Sequence, residues 1–141
     1  MSARVTDVVD GDTIEVELDD GGTDDVRYIG VDTPETVKPD TPVECGGEEA
    51  HRLNEGLVAG RQVTLRIGTE PRDDYGRLLA YVYVPGAGRA GGKLFVNAEL
   101  VRQGLARTLT IPPYDDYAAL FDRLAARAGR AGRGLWSACP L

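Results

Sequence analysis

A chain of 141 residues, 42% of them hydrophobic, is long enough for one compact domain with its own core and too short for two. No run approaches the roughly 20 apolar residues that span a bilayer, and the opening residues lack a positively charged start followed by an apolar run, so neither a membrane span nor a signal peptide is expected in the chain. The net charge of −7 excludes attraction of polyanions by bulk charge, so any such attraction has to be local. The basic residues are fourteen arginines and only two lysines, Lys38 and Lys93, set against acidic pairs such as Asp19-Asp20, Asp24-Asp25 and Asp115-Asp116. That surface suits a salt-adapted protein and equally a generic acidic one.

In chain order, Val5, Val8 and Val9 lead as a strand into the turn Asp10-Gly11-Asp12-Thr13, after which Ile14, Val16 and Leu18 alternate on one face. Residues 19–23 turn the chain. A strand over 26–31 carries Arg27 and delivers Asp32, and Thr33-Pro34 stops regular pairing there. A loop through Pro42 leads to a helix over 48–59, with Ala50, Leu53, Leu57 and Val58 at helical spacing and Gly60 past its end. Strands over 62–67 and 78–84 follow, joined by a polar segment ending in Tyr75-Gly76-Arg77. The glycine-rich piece 86–92 is a hairpin connection. It is not a phosphate-cradling loop, because Ala87 stands at the first required glycine and Leu94 at the hydroxyl position. A short helix over 96–103 closes at Gly104, and after Pro112-Pro113 a last helix over 115–130 places Tyr117, Leu120, Phe121, Leu124 and Ala128 on one side. This is an α+β, mainly β pattern, a single domain over 1–141. Five short strands and three helices suit a closed five-stranded barrel packed with helices, the OB-fold arrangement, which binds oligonucleotides on one face.

Two acidic stretches one hairpin apart carry the chemistry. Asp12 and Asp32 come from adjacent strand ends, so both carboxylates can converge on one cation, and hard oxygen donors select Ca²⁺ or Mg²⁺. Alone, Asp10-Gly11-Asp12 reads first as a tight turn, and the second acidic motif with both arginines in register reverses that reading. Asp10 stays outside the ligand set, as a residue that shapes the turn or supports a ligand. Glu35, three positions past Asp32 and beyond a stiffening proline, is placed to act as a base on a water, against the alternative of an exposed loop glutamate. Arg27 and Arg77 can each offer parallel donors to a phosphate, although each also has a local carboxylate to pair with. The sole histidine, His51, leaves a histidine-metal nuclease or a Ser-His-Asp hydrolase without its parts, and it reads as a solvated helical residue. Cys45 and Cys139 would bridge in an oxidising compartment and stay reduced in a reducing one; both states remain open.

Asp10-Gly11-Asp12-Thr13, Arg27, Val31-Asp32-Thr33-Pro34-Glu35, Asp74-Tyr75-Gly76-Arg77, Val96-Asn97, Leu100-Val101-Arg102-Gln103-Gly104-Leu105-Ala106 and Leu135-Trp136-Ser137 occur in one order, and this order resembles the staphylococcal-type thermonucleases almost end to end. The resemblance implies the barrel above and a calcium-dependent cut of DNA, RNA or both by in-line attack of water, leaving 3′-phosphate ends. It implies that the main-chain oxygen of Thr33 joins Asp12 and Asp32 on Ca²⁺. It also implies that Arg27 and Arg77 contact the reacting phosphate and that Tyr75 lies at the nucleotide pocket. An exported protein is implied, with a cytoplasmic one still possible; a monomer with no obligate protein partner is expected. The chain departs from its relatives after the second helix, where they often carry tyrosines and it reads Thr108-Leu109-Thr110-Ile111-Pro112-Pro113-Tyr114, with Tyr114 or Tyr117 as the replacements at hand. Two rivals to the enzyme are a non-catalytic OB-fold nucleic-acid-binding module, which would tend to lose the carboxylates retained here, and a calcium-stabilised structural domain, which would leave both arginines idle.

Overall fold

Strands β1 (Ser2–Asp10), β2 (Thr13–Leu18) and β3 (Thr23–Tyr28) form an antiparallel meander. The structure, a computed structural model, describes residues 1–36 and 44–139; the rest of the loop through Pro42, with Lys38, lies outside the described residues. In β1 the side chains of Ala3, Val5 and Val8 all turn inward although Val5 and Val8 are three apart. A register shift between Val5 and Asp7 makes this possible, because one extra residue in a strand reverses which face the following side chains occupy. A second register shift lies between Val8 and Asp10, and Asp10 is buried as well.

After β3 come β4 (Val31–Asp32), helix α1 (Gly47–Val58), β5 (Gln62–Arg72) and β6 (Leu78–Val84). A turn through Arg89–Gly91 then leads to β7 (Leu94–Phe95), α2 (Val96–Arg102), β8 (Arg107–Thr108), α3 (Ala118–Ala131) and the single turn α4 (Leu135–Ala138). The sheet order is β3-β2-β1-β5-β6-β7, and β3 also pairs in parallel with β6, so five strands close on themselves and β7 extends one edge. Closure removes the unpaired edges that an open five-stranded sheet would present. The barrel interior is filled by buried Val, Ile, Leu and Ala, with α2 and α3 packed against each other and α1 against β1. The result is the α+β, OB-like barrel expected from the sequence. Among the described residues no helix is long and apolar enough to cross a membrane.

Three local differences from the sequence expectation have physical causes. The strand foreseen over 26–31 is broken into β3 and β4 at Gly30, whose φ of 83° no extended strand accommodates. β5 continues past Ile67 to Arg72, with a register shift against β6 over the stretch that contains Pro71, which cannot donate to the ladder. His51 is half-buried, and its ring N–H donates to Val8 O at 2.8 Å, so it fastens α1 to β1 instead of standing in solvent.

Gly30 also lets α3 close on the barrel, because a β-carbon there would lie 2.4 Å from Phe121 Cε2. Gly30→Ala combines a left-handed backbone with overpacking, and it should lower unfolding free energy by about 2 kcal/mol or more in urea melts. A midpoint equal to that of the parent would show that the helix shifts without cost.

Candidate active site

The β1–β2 turn and the β3–β4 break bring the two acidic stretches together. Asp12 is 7% exposed; its Oδ2 accepts the Thr33 amide at 3.0 Å and its Oδ1 the Thr13 hydroxyl at 3.1 Å. Arg27 sits opposite Thr13 on the neighbouring strand. Its Nη1 donates to the carbonyls of Tyr28 at 2.7 Å and Val31 at 2.8 Å, gripping both sides of the Gly30 break. Its Nη2 lies 3.3 Å from Asp12 Oδ2 and 3.4 Å from Asp32 Oδ1. Asp12 and Asp32 therefore face one shared cationic centre, the Arg27 guanidinium. Asp32 is held on β4 by pairing with β8, directly across from Arg107.

A buried polar chain fixes the turn that presents Asp12. Asp10 Oδ1 accepts the Gly11 amide at 2.8 Å and the Thr36 hydroxyl at 2.7 Å, so Asp10 both shapes its own turn and ties it to the segment that carries Glu35. The Asp10 carbonyl accepts Asn54 Nδ2 at 2.9 Å, and Asn54 Oδ1 accepts the Tyr28 hydroxyl at 2.6 Å. Burial raises the Tyr28 phenol well above its ordinary value, which keeps it a neutral donor. These supports went unread in the sequence, yet a signal was present: Asn54 falls on the same helical face as Ala50 and Val58, where an apolar residue is the rule. Gly11 is required for contact, since a β-carbon there would meet Thr33 Oγ1 at 2.6 Å.

Two hollows meet at the Arg27–Asp32 contact. One, of about 360 Å³, is lined by Arg27, Arg77 and Tyr75, with Leu109, Ile111 and Tyr114 along its wall. The other, of about 350 Å³, is lined by Asp32, Thr33 and Glu35, with Glu44, Arg107 and the bridged Cys45 and Cys139. Glu35 is set by its backbone: its amide donates to Glu44 Oε1 at 3.1 Å and its carbonyl accepts the Glu44 amide at 3.0 Å. Arg77 donates Nε–H to Asp73 Oδ2 at 2.8 Å, the local pairing that the sequence allowed, and its guanidinium carbon lies 5.3 Å from the centre of the Tyr75 ring. Tyr75 itself is 85% exposed. Of the two tyrosines at hand for the wall, Tyr114 lines the hollow and donates its hydroxyl to Glu70 O at 2.5 Å. Tyr117 instead packs edge-on against Tyr81 at 4.8 Å and Phe95 at 4.9 Å, and belongs to the core margin.

The local field is acidic. Desolvation raises the Asp32 carboxyl above its ordinary range and the carboxylates of Asp12 and Glu44 push the same way, with Arg27 and Arg107 opposing them. Among the described residues no three His, Cys, Asp or Glu side chains gather as a metal cluster, so the donor set is two carboxylates and the Thr33 segment. These residues still fit a hard dication: every donor is oxygen and both carboxylates already share one cationic neighbour. In addition, Thr33 Oγ1 is buried with no hydrogen-bond partner among the described residues.

A closed five-stranded barrel with this cleft on its rim defines an OB-fold protein built around a carboxylate and guanidinium centre. Comparison with known sequences narrows the class. The family described as staphylococcal nuclease homologue matches residues 25–138. A thermonuclease of Staphylococcus intermedius is 41% identical over 135 residues, covering 96% of this chain and 76% of the relative. One from Staphylococcus hyicus is 38% identical over 134 residues, 95% of this chain and 75% of the relative. The SPbeta prophage-derived endonuclease YokF of Bacillus subtilis (strain 168) is 40% identical over 131 residues, 92% of this chain and 42% of the relative. The chain belongs to the staphylococcal nuclease homologue family.

Proposed function

We propose that the protein is a calcium-dependent nuclease that hydrolyses phosphodiester bonds of DNA, RNA or both and leaves 3′-phosphate ends. The observation that carries this reading is the placement of Arg27, which lines the same hollow as Arg77 and Tyr75 while bonding Asp12 and Asp32. Asp12, Asp32 and the main-chain oxygen of Thr33 would hold the ion. Bound there, a dication would offset the acidic field and favour both phosphate binding and ionisation of water. Glu35 accepts a proton from the attacking water, whose oxygen bonds to phosphorus as the bond to the 5′ oxygen breaks; that oxygen leaves as a hydroxyl after taking a proton from solvent. Arg27 and Arg77 donate to the phosphate oxygens and stabilise the charge that builds on them. Tyr75 and Tyr114 border the place of the nucleoside, with Leu109 and Ile111 offering an aliphatic surface where relatives often have tyrosine. A bridged Cys45–Cys139 pair supports an oxidising, extracytoplasmic address.

The test is digestion of single-stranded DNA, duplex DNA and RNA with calcium, with magnesium and with chelator. Cleavage in calcium, lost in chelator, and lowered by about 10²- to 10³-fold in Arg77→Ala is the expected result. Cutting that persists in chelator rejects the metal assignment, and strands bound but never cut point to the binding-module alternative.

A further inference from the structure

The arginines of this chain divide by location. All four on barrel strands, Arg4, Arg27, Arg66 and Arg72, end on a carboxylate within 3.5 Å. On α3 the pattern reverses: Arg123, Arg127 and Arg130 form neither an ion pair nor a hydrogen bond among the described residues. Their spacing is i, i+4, i+7, so they stand in one stripe. Phe121 and Ala128 are buried and Leu124 and Ala125 half-buried on the opposite side, which turns the stripe directly away from the barrel. Asp122 is the helix's one acidic residue. Elsewhere among the described residues, Arg61 and Arg89, which also form no ion pair, stand singly in connections, and Arg107 faces Asp32 across the β4–β8 ladder.

The stripe is joined to the proposed active site. α3 packs on β8, which carries Arg107 across from Asp32. Beyond Gly132 the chain enters α4, whose Leu135 lines the hollow that holds Asp32 and Glu35. From Arg123 to Arg130 the helix rises about 10 Å, enough to meet about three successive phosphates of one B-form strand. A second copy of this chain, with its acidic β2–β3 turn, is the other anionic occupant to weigh. Two bodies of −7 each repel overall, which disfavours that pairing. A polynucleotide approaching the same body faces the same repulsion and so needs a local set of free cations, and α3 is where three of them stand together.

We infer that the outward arginine face of α3 is a track for the phosphate backbone of the polynucleotide beyond the cleaved bond. This rests on the nuclease reading for the identity of the strand, but its own measurement is binding. The experiment compares the parent with R123Q/R127Q/R130Q, a change that keeps good helix formers on an exposed face. Binding of a labelled 40-nucleotide single strand is followed by fluorescence anisotropy in chelator across a salt series, and kcat/KM is measured in calcium on a dinucleotide too short to leave the cleft. The triple variant is expected to bind the long strand about tenfold or more weakly at low salt. Its log K against log salt slope should be shallower by about 2, from three contacts at roughly 0.7 each. Dinucleotide cleavage should be unchanged. An unchanged slope on the long strand overturns the track, as does an equal loss on both substrates. A parent that sediments as a dimer and becomes monomeric in the variant, with strand binding intact, assigns the stripe to self-association and also overturns it. If the parent binds the long strand with the steeper slope yet cuts nothing, the track stands and the nuclease reading falls.

Discussion

Glu35→Gln lowers kcat on a short single strand by about 10²- to 10⁴-fold, with unchanged stability and a KM close to that of the parent. The substitution keeps shape and hydrogen-bonding reach but removes the proton acceptor. The backbone explains why the effect is confined to chemistry. Glu35 is anchored through its amide and carbonyl to Glu44, and the preceding Thr33 amide is spent on Asp12, so backbone bonds hold the segment in place. Binding should persist for the same reason, since Arg27, Arg77 and Tyr75 line the other hollow. Steady-state kinetics at saturating substrate with calcium present decide the matter. A loss of less than threefold would assign Glu35 to organising the site and move the base elsewhere.

Removing the Cys45–Cys139 bridge, by reduction or as C45A/C139A, lowers unfolding free energy by about 4 to 5 kcal/mol on the chain-entropy view of a long loop. The two cysteines are 94 residues apart, so the bridge spans most of the chain and strongly restricts the unfolded state. Its folded-state partners are few. α4 is four residues long with Leu135 its one buried member, tied back through the Leu135 amide to Gly104 O at 2.9 Å. Without the bridge this turn should fray first, and because Leu135 walls the Glu35 hollow, activity should decline at temperatures below global unfolding. Urea melts with and without dithiol read the first effect, and activity against temperature reads the second. Equal midpoints in both conditions would show that the bridge contributes nothing to stability.

Much of this was legible in the residues. Alternation in β2 and helical spacing in α1 and α3 place side chains within one element, and the solvent-facing and core-facing sets in the structure follow that spacing closely. The harder cases are informative. Val5 and Val8 share the interior only through a bulge, which leaves no mark in composition. β4 and β8 are two residues each, too short for any periodicity, yet their pairing sets Asp32 opposite Arg107. The tyrosines at the end of the chain looked alike, and packing alone separated Tyr114 at the cleft from Tyr117 in the aromatic margin.

By itself, the amino-acid order determined the barrel class, the chain order of the acidic and guanidinium motifs, and the need for local cations on a body of −7. Those properties depend on neighbours a few residues apart and on sums over the chain. Tertiary structure alone decided that Arg27 is shared by Asp12 and Asp32, that two hollows meet at the Arg27–Asp32 contact, and that the cysteines join. Which partner a charged or polar group takes depends on distances of a few ångströms between segments far apart in sequence, and only closure of the barrel, with α3 laid against it, sets those distances.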